Sequence, residues 1–227
     1  MRAFYFLGML TAVAACDSGV DVQPAAVLWM EWPAEVVAAK PFTVRQLMAF
    51  PSCHRWVFQS AVSADQSAVT FAPYFLVERG EPVCLPVAEG LAVFALPNLG
   101  LDTAVTAPGL ATPVARTFEI RGVANVDAPT PSPSAGNLPV RTFGDVTVRL
   151  SNPDTSRRNV AGVVTLWVEN GCARIRPGGY FAAPPLLVLE DQADTTGLMF
   201  AFVRGYIHEV TTPVCGQTRV FKLESRN

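Results

Sequence analysis

The chain has 227 residues, of which 50% are hydrophobic and 16% are charged, and its formal net charge is −2. Disorder throughout the chain is excluded, because it requires low hydrophobicity and high net charge. The 17 basic and 19 acidic residues form no basic stripe, which excludes a nucleic-acid-binding protein that depends on bulk charge. The 19 prolines and 16 glycines favour short strands and turns over long helices.

The N-terminal segment has the composition of an export signal. Arg2 precedes an apolar run that is shorter than the roughly 20 apolar residues needed to span a bilayer. The run ends in Val13-Ala14-Ala15-Cys16, which resembles the lipobox of bacterial lipoproteins. This resemblance implies that residues 1–15 are a signal peptide, that the Cys16 thiol is acylated, and that residues 16–24 tether the protein to the membrane. An ordinary signal peptide followed by an unrelated cysteine is the alternative.

The resemblance to lipoproteins also implies a location. Acylation of Cys16 places the protein in the bacterial cell envelope, in the periplasm or on the surface, with the membrane as its first partner. Asp17 follows directly, and in lipoproteins of enteric bacteria an aspartate there favours the inner membrane. That rule differs between bacterial groups, so the sequence leaves inner and outer membrane open.

Four cysteines remain once Cys16 is assigned to the lipid, and they form one pair on each side of a proline-rich stretch. Three connectivities are possible, and the simplest predicts the bridges Cys53–Cys84 and Cys172–Cys215. The oxidising periplasm permits such bridges. A redox or metal site is the alternative. Because neither CxxC nor HExxH occurs, we expect structural bridges and no metal or other cofactor.

Residues 25–121 are predicted to form a β-sandwich domain. Short segments rich in β-branched and aromatic residues, such as residues 43–48 and 74–77, alternate with turn formers. Phe118 and Ile120 alternate with polar residues, which predicts a strand with one buried face. This half resembles the immunoglobulin-like modules of bacterial surface proteins, and the resemblance implies two sheets stapled by a disulfide.

Residues 122–140 contain prolines alternating with small polar residues, which predicts a semi-rigid linker. A long loop inside one domain is the alternative. Residues 141–227 restart the strand pattern, with a tight-turn signal at Asn170-Gly171. We expect a second β-sandwich or an OB-like barrel, and residues 203–216 resemble the end of OB-like domains in envelope-stress lipoproteins. The sequence therefore predicts an all-β protein with two small disulfide-stapled domains.

No motif assigns a catalytic residue, and we expect that the protein is not an enzyme. GxSxG, the glycine-rich nucleotide patterns and the EF-hand spacing are all absent. The only two histidines, His54 and His208, lie in different halves of the chain. The acidic residues that are candidates for glycoside chemistry by residue type alone are Glu31, Glu35, Glu190, Asp191 and Asp194.

Three tryptophans are candidate binding residues. Trp29 and Trp32 contact a partner or the membrane interface if they are exposed, and otherwise fill the end of the sandwich. Trp167 lies on the polar face of its strand, where it stacks on a sugar or peptide or packs against the first domain. Arg157 and Arg158 close a turn-rich loop and are expected to solvate it.

Taken together, these features predict a lipid-anchored, non-catalytic binding or assembly module of the cell envelope. Such a module recognises an envelope protein or a glycan, not nucleic acid, through sheet edges or loops. One alternative is an envelope-stress or redox sensor, or an accessory subunit of an envelope complex. The other is a small periplasmic hydrolase that gathers a histidine, a hydroxyl and a carboxylate.

Overall fold

The computed structural model describes residues 20–25, 27–48, 56–78, 101–123, 140–177, 187–192 and 199–226. Within these ranges the chain forms strands and no helix, which confirms the predicted all-β class. Accordingly, no helix in these ranges has the length and apolar character that crossing a membrane requires. The strands in chain order are β1 (Val20–Pro24), β2 (Val27–Pro33), β3 (Glu35–Val37), β4 (Phe42–Met48), β5 (Trp56–Ala64), β6 (Ala68–Glu78), β7 (Leu101–Ala107), β8 (Arg116–Val123), β9 (Val140–Arg149), β10 (Arg158–Glu169), β11 (Cys172–Pro177), β12 (Leu187–Leu189), β13 (Met199–Val214) and β14 (Gln217–Arg226).

Six strands form the first sheet, and β6 lies at its centre. β5 runs antiparallel along one side of β6. On the other side, β8 runs parallel to the first part of β6 and β1 runs antiparallel to the last part. β9 pairs with β8, and the short strand β3 pairs with β9. We call these six strands sheet 1. Its strand β5 pairs only with β6 and is therefore an edge strand.

Eight strands form the second sheet, in the order β11-β12-β14-β13-β10-β2-β4-β7. Because β10 also pairs with β11, five of these strands close into a barrel of order β10-β11-β12-β14-β13. Its β12 and β14 are parallel, and its other neighbours are antiparallel. This is the strand order of an OB-type barrel, so the strands β10 to β14 form the predicted barrel and not the alternative sandwich.

β10 joins the barrel to the rest of the protein. Its residues 158–162 pair with β2, whereas its residues 164–169 pair with β11 on the same side. Gly162 lies where the partner changes. A Cβ atom there would come within 2.2 Å of the Leu28 carbonyl oxygen, so the close approach of β2 requires glycine.

The strand pairing differs from the predicted division at residues 122–140. β9, which follows that stretch, pairs with β8 and β3 and so completes sheet 1. β10 pairs with β2, which makes the barrel and the first half one hydrogen-bonded sheet. Residues 141–227 therefore do not form a sheet system of their own. Residues 124–139, the middle of the predicted linker, lie outside the described residues.

The predicted tether is also too long. Its last five residues form β1, which pairs with β6 from Val20 opposite Glu78 to Pro24 opposite Tyr74. The second part of β6 has a side that β8 does not cover, and β1 satisfies the backbone groups along it. Only residues 17–19 remain between Cys16 and the sheet.

Two apolar cores hold the sheets together, and β2 contributes to both. Met30 and Trp32 project into the core between sheet 1 and the facing strands β13, β10, β2, β4 and β7. Trp29 projects from the opposite face of β2 into the barrel core, where its ring lies 6.3 Å from that of Phe221. A strand buried on both faces explains why this segment lacks polar alternation.

Two tight turns and one disulfide close the barrel at one end. Asn170 and Gly171 have φ values of 52° and 76°, which is the geometry of a type I′ hairpin turn and confirms the turn predicted there. Cys215 and Gly216 repeat it between β13 and β14, with φ values of 50° and 76°. The predicted Cys172–Cys215 bridge is confirmed, with 6.0 Å between the two Cα atoms. Cys16, Cys53 and Cys84 lie outside the described residues.

Candidate functional site

Two of the three candidate tryptophans are interior residues. Trp29 and Trp32 are 4% and 1% exposed, so the expectation that they contact a partner or membrane from the surface is wrong. The indole nitrogen of Trp32 donates a hydrogen bond to the Asp145 carbonyl oxygen at 2.9 Å, which satisfies its one polar group. Both residues are buried, as the other interpretation required, but they lie in an interior strand of the sheet and not at the end of a sandwich.

Trp167 lies on the outside of the barrel and is half-buried. The Arg176 guanidinium carbon is 5.2 Å from the centroid of its ring, within the range of a cation–π contact. Part of the ring remains open to solvent, so Trp167 keeps its place among the candidate binding residues.

Three of the candidate carboxylates in the described ranges, Glu31, Glu35 and Glu190, contact cationic side chains or backbone donors. Glu35 accepts hydrogen bonds from Arg149, at 3.0 Å from Nε and 2.6 Å from a terminal nitrogen, and from the Asp154 amide at 2.9 Å. The arginine bonds, and then the Asp154 amide, hold the pKa of Glu35 below its usual value. Glu190 lies 3.1 Å from His208 and 3.7 Å from Lys222. Asp194 and His54 lie outside the described residues.

Metal-binding geometry does not occur among the described side chains. In the described ranges, no three histidine, cysteine, aspartate or glutamate side chains approach closely enough to hold a metal ion. The described residues therefore give no support to a metal site. Glu31 and Glu35 are each engaged by arginine side chains: Arg158 and Arg219 contact Glu31, and Arg149 contacts Glu35.

The edge strand β5 is the longest uncharged edge in the described structure. It pairs with β6 along one side, and no described strand pairs with its other side. Its nine residues, WVFQSAVSA, include no charged residue and no proline. Val57 is 60% exposed on the outer face, while Phe58 packs inward against Phe75. Charges and prolines are the usual means of protecting an edge from other strands, and β5 has neither.

A cleft lies at the end of the barrel where β10 begins. It has a volume of about 620 Å³, and the residues lining it include Arg157, Arg158, Tyr206, His208, Glu209 and Arg219. The Arg157 guanidinium lies 3.6 Å from the centroid of the Tyr206 ring and 3.7 Å from Glu224. The sequence suggested that Arg157 and Arg158 only solvate their loop. Instead, Arg157 contacts Tyr206 and Glu224, and Arg158 is hydrogen-bonded to Glu31.

Beneath this cleft lies a buried carboxylate surrounded by three arginines, which we call the Glu31 cluster (Glu31, Arg45, Arg158 and Arg219). The Glu31 side chain is 8% exposed. One of its oxygens accepts a hydrogen bond from Nε of Arg158 at 2.5 Å and lies 3.3 Å from a terminal nitrogen of Arg219. Its other oxygen lies 3.9 Å from Arg45. Four strands, β2, β4, β10 and β14, meet in this cluster.

Comparison with known proteins found no match that bears on this site. The sequence matches no protein-family profile and no curated protein, and the fold matches no solved structure.

Sequence reasoning missed the Glu31 cluster because no local pattern marks it. Glu31 and Arg158 are 127 positions apart, and Glu31 and Arg219 are 188 apart. The pairing of β2 with β10, and of β13 with β14, brings them together. A buried glutamate inside an otherwise apolar strand was the one available signal, since such a charge requires a cationic partner.

Proposed function

We propose that this protein is a lipid-anchored, non-catalytic binding module of the bacterial cell envelope, which binds a partner polypeptide by adding a strand to β5. The observation that carries this proposal is the uncharged nine-residue edge of sheet 1. Along such an edge, alternate residues direct their N–H and C=O groups outward, where a partner strand pairs with them. Strand addition thus uses backbone hydrogen bonds for affinity and the exposed side chains for selectivity.

Among the edges in the described structure, β5 suits this role best. β7, at the edge of the second sheet, carries Asp102 within its seven residues. β3 is three residues long and offers few backbone groups. The outer face of β5 presents Val57, Gln59, Ala61 and Ser63, which are exposed and uncharged. This surface fits an extended segment of modest polarity with small or β-branched side chains.

The lipid anchor would hold this edge near the membrane. Only residues 17–19 separate Cys16 from β1, so the acylated cysteine would lie within about 14 Å of Val20 along a fully extended chain. Val20 is opposite Glu78 on β6, and Trp56, the first residue of β5, is opposite the neighbouring Val77. The first residues of β5 therefore lie at the end of sheet 1 that the anchor joins.

A site-specific crosslinking experiment tests the binding edge. A photoreactive residue at Ala61 should crosslink to a polypeptide in intact cells, whereas the same residue at Val114, which is also exposed but lies outside β5, should not. Ala104, on β7, tests whether the other edge takes part. Introducing the edge charge Val57→Lys should abolish the Ala61 crosslink, because a lysine on an edge strand opposes pairing. Equal crosslinking at Ala61 and Val114, or a crosslink unaffected by V57K, would exclude strand addition at β5.

The anchor is tested by the intact mass of the protein extracted from membranes. We expect cleavage before Cys16, added acyl chains, and a mass gain on reduction that corresponds to two disulfides. The variant Cys16→Ser should lose the lipid and the membrane association. Retention of C16S in the membrane, or a wild-type mass without acyl chains, would exclude the lipoprotein assignment.

A further inference from the structure

The cleft at the end of the barrel has a charge pattern that barrel packing alone does not require. A buried carboxylate needs one well-placed cation to offset its burial. In the cleft, Arg158 and Arg219 share the single carboxylate of Glu31, so these three side chains carry a formal excess of one positive charge. Like charges this close repel each other unless a further anion is present.

We infer that this cleft binds a compact oxyanion, a carboxylate or phosphate group carried by a small molecule. The inference is independent of the strand edge, which lies on sheet 1, whereas the cleft is formed by β10, β13, β14 and the loop before β10. The guanidinium fork matches the two oxygens of a carboxylate or phosphate, and arginine is the residue best suited to such bidentate binding.

Donor groups are available in the cleft. Arg158 binds Glu31 through Nε, so its two terminal nitrogens lie outside that bond. Arg219 makes one contact to Glu31, from a single terminal nitrogen at 3.3 Å, and its side chain is 53% exposed. Each guanidinium has five N–H donors, and one carboxylate oxygen accepts only a few of them. An anion in the cleft can therefore bind both arginines without breaking their bonds to Glu31.

The buried carboxylate orients these donors before a ligand arrives. Glu31 is fixed within β2, which is buried on both faces, so it holds Arg158 in one position at the floor of the cleft. Arg157, at the rim, is held by its contact with the Tyr206 ring. Fixing long side chains in advance reduces the conformational entropy lost when a ligand binds. Glu31 in this arrangement is a positioning residue and does not itself contact the anion.

One acidic residue in the cleft opposes the proposed ligand. Glu209 lines the cleft on β13, opposite Arg219 on β14, and is exposed. A carboxylate there lowers the attraction for a second anion, so it limits the affinity and favours ligands whose negative charge is compact. Removing the Glu209 charge should therefore strengthen binding, which tests whether the ligand is an anion.

The test is a titration of the full protein with sodium phosphate and, separately, with sodium acetate, at constant ionic strength set with sodium chloride. Binding is followed by the NMR signals of the arginine Nε–H groups. We expect saturable shifts that chloride alone does not produce. Arg219→Gln should weaken binding about five- to tenfold, the effect of losing one partly exposed charged hydrogen bond. Glu209→Gln should strengthen it about two- to threefold, the effect of removing one nearby exposed charge.

The matched control is Arg116→Gln, which removes an exposed arginine on β8 whose guanidinium lies over Phe118 at 5.4 Å. R116Q should leave the phosphate and acetate affinities unchanged. Saturation by only one of the two salts would assign the ligand as a phosphate or as a carboxylate. Shifts no larger than those with chloride, an R219Q affinity equal to that of the wild type, or weaker binding by E209Q would each overturn the inference.

Discussion

The buried amide of Gln46 offers the sharpest test of how the sandwich core is stabilised. Gln46 lies in the middle of β4, between Met30 on β2 and Thr103 on β7, and it is 0% exposed. Neither its oxygen nor its nitrogen has a hydrogen-bond partner among the described residues. Its neighbours on the same face of β4, Val44 and Met48, belong to the apolar core between the sheets.

Replacing Gln46 with methionine should therefore stabilise the protein. A buried polar group without a partner costs about 1–3 kcal/mol, and a hydrophobic residue of similar volume loses less than about 1.5 kcal/mol through imperfect packing. We expect the free energy of unfolding of Q46M to rise by about 1–2 kcal/mol. For a protein of this size, that corresponds to an increase in Tm of about 2–8 °C.

The assay is equilibrium unfolding in urea, followed by the fluorescence of the buried residues Trp29 and Trp32. Gln217→Met, at the exposed start of β14, is the matched control and should change the stability by less than about 0.5 kcal/mol. A loss of stability in Q46M comparable to that in Gln46→Ala would refute the reasoning. It would show that the amide is satisfied in the folded protein and that its hydrogen bonds are needed.

Three further predictions concern the disulfide, one glycine and one ion pair. Replacing Cys172 and Cys215 with serine should lower the free energy of unfolding by about 4 kcal/mol, as expected for a disulfide that joins residues 43 positions apart. A decrease of less than about 1 kcal/mol, measured by urea unfolding, would contradict this. Gly162→Ala should prevent folding or lower the free energy of unfolding by more than about 3 kcal/mol, because the added Cβ would meet the backbone of β2. Gly171→Ala introduces no such contact and should lower it by about 1 kcal/mol. Circular dichroism and melting curves distinguish the two variants. Glu35→Gln should lower the Tm at pH 7, because arginine and amide hydrogen bonds depress the pKa of Glu35 when the protein is folded. The stability that ionised Glu35 contributes is fully present above the ordinary pKa of 4.5 and is lost as the pH falls through the depressed pKa of the folded protein. The Tm values of the wild type and the variant should therefore become equal at low pH. A Tm difference that increases on acidification would show that the effect has the opposite sign.

Local features of the sequence were sufficient to predict one strand, β8, and one turn, at Asn170-Gly171. The alternation around Phe118 and Ile120 predicted β8, whose inward residues are buried and whose intervening residues are not. Asn170-Gly171 predicted a tight turn because few residues other than asparagine and glycine adopt positive φ at low cost, and the turn has that geometry. The same reasoning did not reveal the turn at Cys215, because cysteine carries no such preference.

The tryptophans show where local reasoning reached its limit. Trp29 and Trp32 are separated by two residues, and their pattern is equally consistent with an exposed binding surface and with burial. The pairing of β2 with both β4 and β10 places the strand in the interior of the sheet, so both indoles are buried. Strand partners distant in sequence decide such burial, and a single segment contains no information about them.

The sequence by itself determined the all-β class, strands such as β4, β6 and β8, the hairpin turn at Asn170-Gly171 and the Cys172–Cys215 bridge. Each of these depends on residues close together in the chain or on a small set of possible partners. Only the tertiary structure decided that the second half closes into a barrel, that β9 joins sheet 1, and that Glu31 meets Arg158 and Arg219. The barrel depends on the pairing of β10 with β13 and of β12 with β14, and the Glu31 contacts join residues 127 and 188 positions apart. Such pairing is set by the packing of the whole molecule and not by any local preference.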